Sequence, residues 1–199
     1  MEVSDTDLML RLKTGDDHAL NVLMDRWAAR VTSFLQRVTG NRNIAADLAQ
    51  ETFVKIYQAR ERFKSGGTFS TYLFTIAANL ARNHHRWQSR HPSISLDDSE
   101  TSSIHLTDSS LDPSQALESQ EKFAAIRAAI AELPLDLREA ITLFVDEKMS
   151  YAQIANIAGC SSKAAETRIY RARQLLKIAL APSPEAVPVT TQFSLKDVS

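Results

Sequence analysis

Residues 151–173 carry the groups best suited to reading duplex DNA. Tyr151-Ala152-Gln153-Ile154-Ala155-Asn156-Ile157-Ala158 has helical patterning and runs into Gly159-Cys160-Ser161, after which a basic segment begins at once. Ala155 lets two helices approach closely, Gly159 supplies the turn backbone, and Ser161 suits the N-cap of the helix that follows. At about 100° per residue, Ala165, Ile169, Ala172 and Leu176 fall on one side of that helix, and Lys163, Glu166, Thr167, Tyr170 and Gln174 on the other. The apolar side docks. On the polar side, Lys163, Glu166 and Thr167 near the helix start can touch base edges, while Arg168, Arg171 and Arg173 flank it where phosphates would pass. An ordinary basic surface helix has a similar composition, but the Ala-x3-Gly turn ahead of this one favours DNA.

A second set of groups suits unpaired bases. From Ser70 onward, Leu73, Ile76, Ala77, Leu80 and Trp87 collect on one helical side, and Tyr72, Thr75, Asn79, Arg82, Asn83, Arg86 and Arg90 on the other. A ring can stack an unpaired base, amides can hydrogen-bond its edge, and arginines can hold the backbone. A solvated basic helix is the plainer alternative. A third pattern places Asp47, Gln50, Glu51, Val54 and Gln58 on a stripe opposite Ala49, Phe53, Ile56 and Arg60. A solvated face explains the polar members; the small apolar centre at Val54 points to a protein partner.

Other chemistry is poorly supported. His84 and His85 are adjacent and diverge on a helix, and His91 and His105 lack ligand neighbours, so neither a metal site nor a cofactor is expected. The single cysteine, Cys160, excludes an internal disulfide and reads as a small, buried apolar side chain. No nucleophile–base pair or phosphate loop is visible, which leaves no catalytic residue to name.

The elements that position these groups are all helical. Apolar periodicity predicts helices from Asp5 to about Thr14, Asp16 to about Thr39, Asn43 to about Phe63 and Ser70 to about Gln88. Helices resume near Ser114 and run to about Leu180, broken at Leu133-Pro134-Leu135 and Gly159. Lys64-Ser65-Gly66-Gly67-Thr68 reads as a flexible loop between Phe63 and Phe69, and the Pro-containing stretch 181–199 as a mobile tail. The formal net charge over 199 residues is -1, so any nucleic-acid affinity must be local. Charge is indeed segregated: Asp97, Asp98, Glu100, Asp108, Asp112 and Glu118 occupy residues 92–120 without one Lys or Arg. The expected architecture is all-α, with two small helical domains at 1–91 and 114–180, a flexible acidic linker at 92–113, and the tail. The amino-terminal residues lack a signal-peptide pattern and no run is long enough to span a bilayer, so a soluble cytoplasmic protein without membrane insertion is expected.

Two longer blocks carry a resemblance. Asp47-Leu48-Ala49-Gln50-Glu51-Thr52-Phe53-Val54-Lys55-Ile56-Tyr57, followed by Phe69-Ser70-Thr71-Tyr72-Leu73-Phe74-Thr75-Ile76-Ala77-Ala78-Asn79-Leu80-Ala81-Arg82-Asn83, resembles conserved region two of the extracytoplasmic-function sigma factors. Leu133-Pro134, Arg138-Glu139, Ser150-Tyr151-Ala152-Gln153-Ile154-Ala155, Gly159-Cys160-Ser161 and Arg168-Ile169-Tyr170-Arg171-Ala172-Arg173 resemble region four of the same group. The resemblance implies a bacterial sigma factor that binds core RNA polymerase, directs initiation at promoter DNA of a stress or envelope-response regulon, and is held by an anti-sigma factor.

Residue by residue, the resemblance implies that the Asp47 to Gln58 stripe binds the largest polymerase subunit. Phe63, Phe69 and the loop between them would, with Tyr72, Thr75, Asn79, Arg82, Asn83, Arg86 and Arg90, capture and open the minus-ten element. Ser161, Ser162, Lys163, Glu166, Thr167, Arg168, Tyr170, Arg171 and Arg173 would serve the minus-thirty-five element. The acidic linker would thread toward the polymerase active-site channel. Tyr72 stands where the family commonly has tryptophan, Asn83 where it has aspartate, and Glu166 where it has lysine; a carboxylate at Glu166 prefers a cytosine amino group to a guanine edge. A stand-alone helix-turn-helix regulator with a sensing or dimerising first domain is the alternative. Binding to promoter DNA only together with core polymerase separates the two.

Overall fold

A computed structural model describes residues 3–63, 67–91 and 113–181, with backbone alone for 113–120. The expectations for residues 64–66, for 92–112 of the linker expected at 92–113, and for 182–199 of the tail expected at 181–199 lie outside the described residues. Among the described residues the chain forms eight α-helices and no strand: α1 (Asp5–Lys13), α2 (His18–Thr39), α3 (Arg42–Gln58), α4 (Phe69–Arg90), α5 (Pro113–Ala131), α6 (Leu135–Val145), α7 (Tyr151–Ala158) and α8 (Ser162–Ala179).

Local sequence explains most boundaries. Ser4, Asn41, Thr68, Ser150 and Ser161 each accept a backbone N–H from the first turn of the helix they precede, which satisfies donors that no helix can satisfy internally. Ser150 also forms a reciprocal capping box with Gln153. The helix expected to continue to Phe63 stops at Gln58 and gives way to a 3-10 turn at Arg60–Arg62. The Arg60 guanidinium donates to the Tyr57 carbonyl (2.9 Å) and lies over the Tyr57 ring, closing the end of α3 with a side chain.

Helices α1 to α4 pack around Met9, Leu12, Leu23, Phe34, Leu35, Ile56, Leu73 and Phe74, all fully buried. Trp27 meets Phe69 and Phe74 edge-on, and Phe34 meets Phe74 likewise, so one chain of rings joins α2 to α4. Asp5 accepts from the Trp27 indole (2.9 Å) and from Arg26 (2.8 Å), which ties α1 to α2. Helices α6 to α8 pack around Leu143, Ile154, Ile157 and Ile169. The two groups touch: α4 packs on α7, and α2 on α6, within one continuous set of buried residues.

Candidate nucleic-acid interface

Helix α8 is entered through a tight turn. Gly159 takes φ 63, a left-handed conformation that a Cβ disfavours, and ends α7 with its N–H on the Ala155 carbonyl. Two residues on, the Ser161 hydroxyl accepts the Ala164 N–H (3.1 Å) and starts α8. Cys160 between them is half-buried against the core, close to the role its sequence suggests. Ala165, Ile169 and Ala172 are buried as the periodicity requires, and Leu176 is half-buried. Ser161, Ser162, Lys163, Tyr170 and Arg171 face solvent, with Tyr170 62 % exposed. Glu166 and Thr167 are half-exposed beside them, and Glu166 accepts from Lys163 at 2.8 Å, which raises the ammonium pKa.

Two of the arginines expected to meet phosphates make contacts with α6. Arg168 pairs with Asp136 of α6 (3.4 Å) at the edge of the docking face. Arg173 is exposed but lies over the Phe144 ring, 4.8 Å from its centroid, on the α6 side of α8. In this structure both hold α8 on α6. Arg171 is exposed.

Helix α4 rises about 33 Å at 1.5 Å per residue over its 22 residues and contains no Asp or Glu. Asn79, Asn83, Arg86 and Arg90 are exposed along one stripe, with Tyr72 and Thr75 half-buried at its start. The Asn83 amide oxygen accepts from Arg86, so an amide and a guanidinium are pre-paired on this face. The Tyr72 ring packs edge-on against Phe63 (5.3 Å), and burial raises its hydroxyl above the ordinary pKa, so it presents a neutral ring.

Three further expectations change. Phe63 and Phe69 are buried, Phe63 under Tyr72 and Phe69 against Trp27, so neither can stack a base; they anchor the two ends of the loop. Arg82 is not free for DNA in this arrangement. It lies at the edge of the stripe where α7 packs, and donates to Glu139 (2.5 Å), the Ile157 carbonyl (3.1 Å) and Asn79 (2.6 Å). Trp87, on the apolar side of α4, overhangs the bundle at 49 % exposure and stacks on His91.

On α3, Asp47, Gln50, Glu51, Val54 and Gln58 are all exposed, Val54 by 51 %, while Ala49, Phe53 and Ile56 are buried. Glu51 pairs with Lys55 one turn on (3.3 Å), an exposed pair of small energetic weight. No helix among the described residues is long and apolar enough to cross a membrane.

Sequence reasoning missed Glu139. Its carboxylate is only 4 % exposed, and burial raises its pKa while the Arg82 guanidinium opposes the rise. The signal was its place on the helix: Glu139 lies three and four residues ahead of Thr142 and Leu143, on the side that docks, and a charge there needs a cation.

Residues 23–91 match the family described as Sigma-70 region 2, and residues 123–176 match Sigma-70, region 4. An ECF RNA polymerase sigma-E factor of Haemophilus influenzae is 34% identical over 186 residues, covering 91% of this chain and 97% of the relative. An RNA polymerase sigma-H factor of Pseudomonas aeruginosa is 33% identical over 182 residues, covering 89% and 94%. The fold is shared with CnrH in its complex with the cytosolic domain of CnrY (TM-score 0.66, 23% identity, 88% of this chain and 96% of that one). It is also shared with the sigma factor RpoE in complex with the anti-sigma factor NepR from Bartonella quintana (TM-score 0.61, 24% identity, 80% and 95%).

Proposed function

We infer the roles of these faces from a plain fact about the chain: it belongs to the extracytoplasmic-function sigma factors of the sigma-70 family, given its two family matches and its relatives at 34% and 33% identity. It is an RNA polymerase sigma factor. We propose that residues 1–91 and 114–180 act as its two working domains. The α3 stripe Asp47, Gln50, Glu51, Val54 and Gln58 docks core polymerase. Tyr72, Thr75, Asn79, Asn83, Arg86 and Arg90 on α4 take unpaired bases and backbone of the minus-ten element. Ser161, Ser162, Lys163, Glu166, Thr167, Tyr170 and Arg171 meet the minus-thirty-five duplex.

The observation that carries this reading is the pairing, in one chain, of a carboxylate-free helix bearing a ring, amides and arginines with a helix-turn-helix whose polar face is open. The chain performs no chemistry of its own; polymerase supplies it. It works in the cytoplasm, where its promoters are, and takes an anti-sigma partner, as the RpoE factor does with NepR. The test is run-off transcription on a promoter library with core polymerase, with and without the purified chain. Defined transcripts that depend on the chain are expected. Core alone giving the same products, or the chain alone shifting promoter DNA as a dimer, would overturn it.

A further inference from the structure

Helix α4 outruns the bundle. Ala81 is its last buried residue, and from Arg82 to Arg90 every side chain is at least partly exposed. The largest apolar side chain on this overhang is Trp87, 49 % exposed. A tryptophan stabilises a fold through the large area it buries, and one set beyond the core forgoes much of that.

The neighbours of Trp87 on the helix surface, three and four residues away, are Asn83 and Arg90 on one flank and His84 and His91 on the other. His91 stacks on the indole, with centroids 5.0 Å apart and planes at 25°, and His84 lies tilted beside it at 6.4 Å and 43°. The His91 backbone N–H donates to the Trp87 carbonyl (3.1 Å), and its ring Nδ1 donates to the same oxygen (2.9 Å). The ring that backs the indole is therefore fixed by the bonds that end α4. Trp87 is held in place before a ligand arrives, which removes part of the ordering cost of binding.

These neighbours select a nucleobase over a protein surface. The buried centre of a protein interface is depleted in charge, and none of the four residues beside Trp87 is aliphatic: they are two imidazoles, an amide and a guanidinium. A ring to stack on, an amide for a base edge and guanidinium groups for the backbone are the set that takes single-stranded nucleic acid. Helix α4 carries no carboxylate to repel that backbone.

We propose that Trp87 is a base-stacking platform: backed by His91, it takes one unpaired nucleobase on its open side, next to the strand held by Asn79, Asn83 and Arg86. The platform lies beside the polar stripe rather than within it, about 22 Å along α4 from Tyr72 at 1.5 Å per residue. It rests on the sigma-factor reading for the identity of the strand as promoter DNA.

The chain has two tryptophans and Trp27 is buried, so the emission of wild type less that of Trp87→Phe isolates Trp87. The test is titration of the full chain with a mixed-sequence single-stranded 20-mer and with the same sequence as a duplex, with circular dichroism to check helicity. The single strand is expected to quench Trp87 and the duplex to leave it unchanged. Trp87→Leu, apolar but without a ring, should bind the single strand at least about 5-fold more weakly, the low end of one base–aromatic stack, and Trp87→Phe should lose less. An unquenched Trp87, equal quenching by the duplex, or unchanged affinity of Trp87→Leu would overturn the platform. So would weaker binding of Trp87→Leu to core polymerase with its single-strand affinity intact, which places the indole against protein. Chain-dependent run-off transcripts alongside an unquenched Trp87 would leave the sigma-factor reading intact, whereas a quenched Trp87 without any such transcript would sink that reading and not the platform.

Discussion

Three arginines of α8 make different predictions under salt, although they look alike in sequence. Arg171 is exposed and makes no ion pair among the described residues, Arg173 lies over Phe144, and Arg168 pairs with Asp136. Each phosphate neutralised contributes about −0.9 to the slope of log K against log salt. Removing one such contact therefore changes the affinity lost between about 50 and 200 mM salt by a factor of 4 to the power 0.9, or about 3.5. Arg171→Ala should show this full factor and weaken all upstream sequences alike. Arg173→Ala should leave the slope unchanged and instead lower thermal stability by about 0.5 to 1 kcal/mol, the worth of an exposed cation–π contact. The assay is fluorescence-anisotropy binding of holoenzyme to an upstream promoter duplex over a salt series, with thermal melts of the isolated chain. An unchanged slope for Arg171→Ala, or a shallower one for Arg173→Ala, would refute the division into gripping and packing arginines.

Other expectations follow from exposure, backbone and burial. Asp47→Lys with Glu51→Lys should weaken core polymerase binding in a titration while the melting curve stays near wild type, because both side chains are exposed; unchanged core affinity would remove α3 from the interface. Gly159→Ala should cost about 1 to 2 kcal/mol by forcing a Cβ into the left-handed region, with no clash to add because nothing lies within 4 Å of where that Cβ would sit; Gly159→Asn should recover much of it in denaturant melts. Burial raises the carboxyl groups of Glu139, Asp146 and Glu147 above their ordinary range, despite Arg82, Arg37 and Arg30 opposing it. A group whose folded pKa is raised stabilises the fold below its unfolded value, and that contribution is lost as pH rises through the folded one. Denaturant stability of wild type minus that of Glu139→Gln should therefore fall as pH rises from about 4.5, and a difference that rises or stays flat would contradict the assigned burial.

The turn into α8 was legible because its devices are local. Left-handed Gly159, the Ser161 cap and the 3.6-residue spacing of Ala165, Ile169 and Ala172 act within a few residues of one another, so sequence order displays them. The α3 stripe was legible for the same reason. Phe63 and Phe69 were not, since aromatic residues bracketing a Gly-containing loop suit either an exposed stacking platform or an anchored loop base. Burial against Tyr72 and Trp27 decides for the second. The overhang of Trp87 depends on how far the partner helices extend, a property of the bundle rather than of α4.

Helical periodicity separates docking from non-docking sides, but it cannot say what a polar side docks against. Arg82, Arg168 and Arg173 all lie on or beside polar stripes, and each is held by another helix through Glu139, Asp136 or Phe144. A guanidinium reaches far enough to serve a neighbouring helix or a phosphate from the same Cα position, so its own helix leaves the choice open. The deciding information sits on the partner element, as a carboxylate whose surroundings forbid it to stay unpaired. Glu139, charged within the apolar run of α6, demands a cation more strongly than Arg82, with solvent beside it, demands an anion. In an all-α chain of this kind the isolated charge on the apolar face is therefore the better place to begin a search for contacts between domains, and the basic stripe opposite it the better place to look for what those contacts conceal.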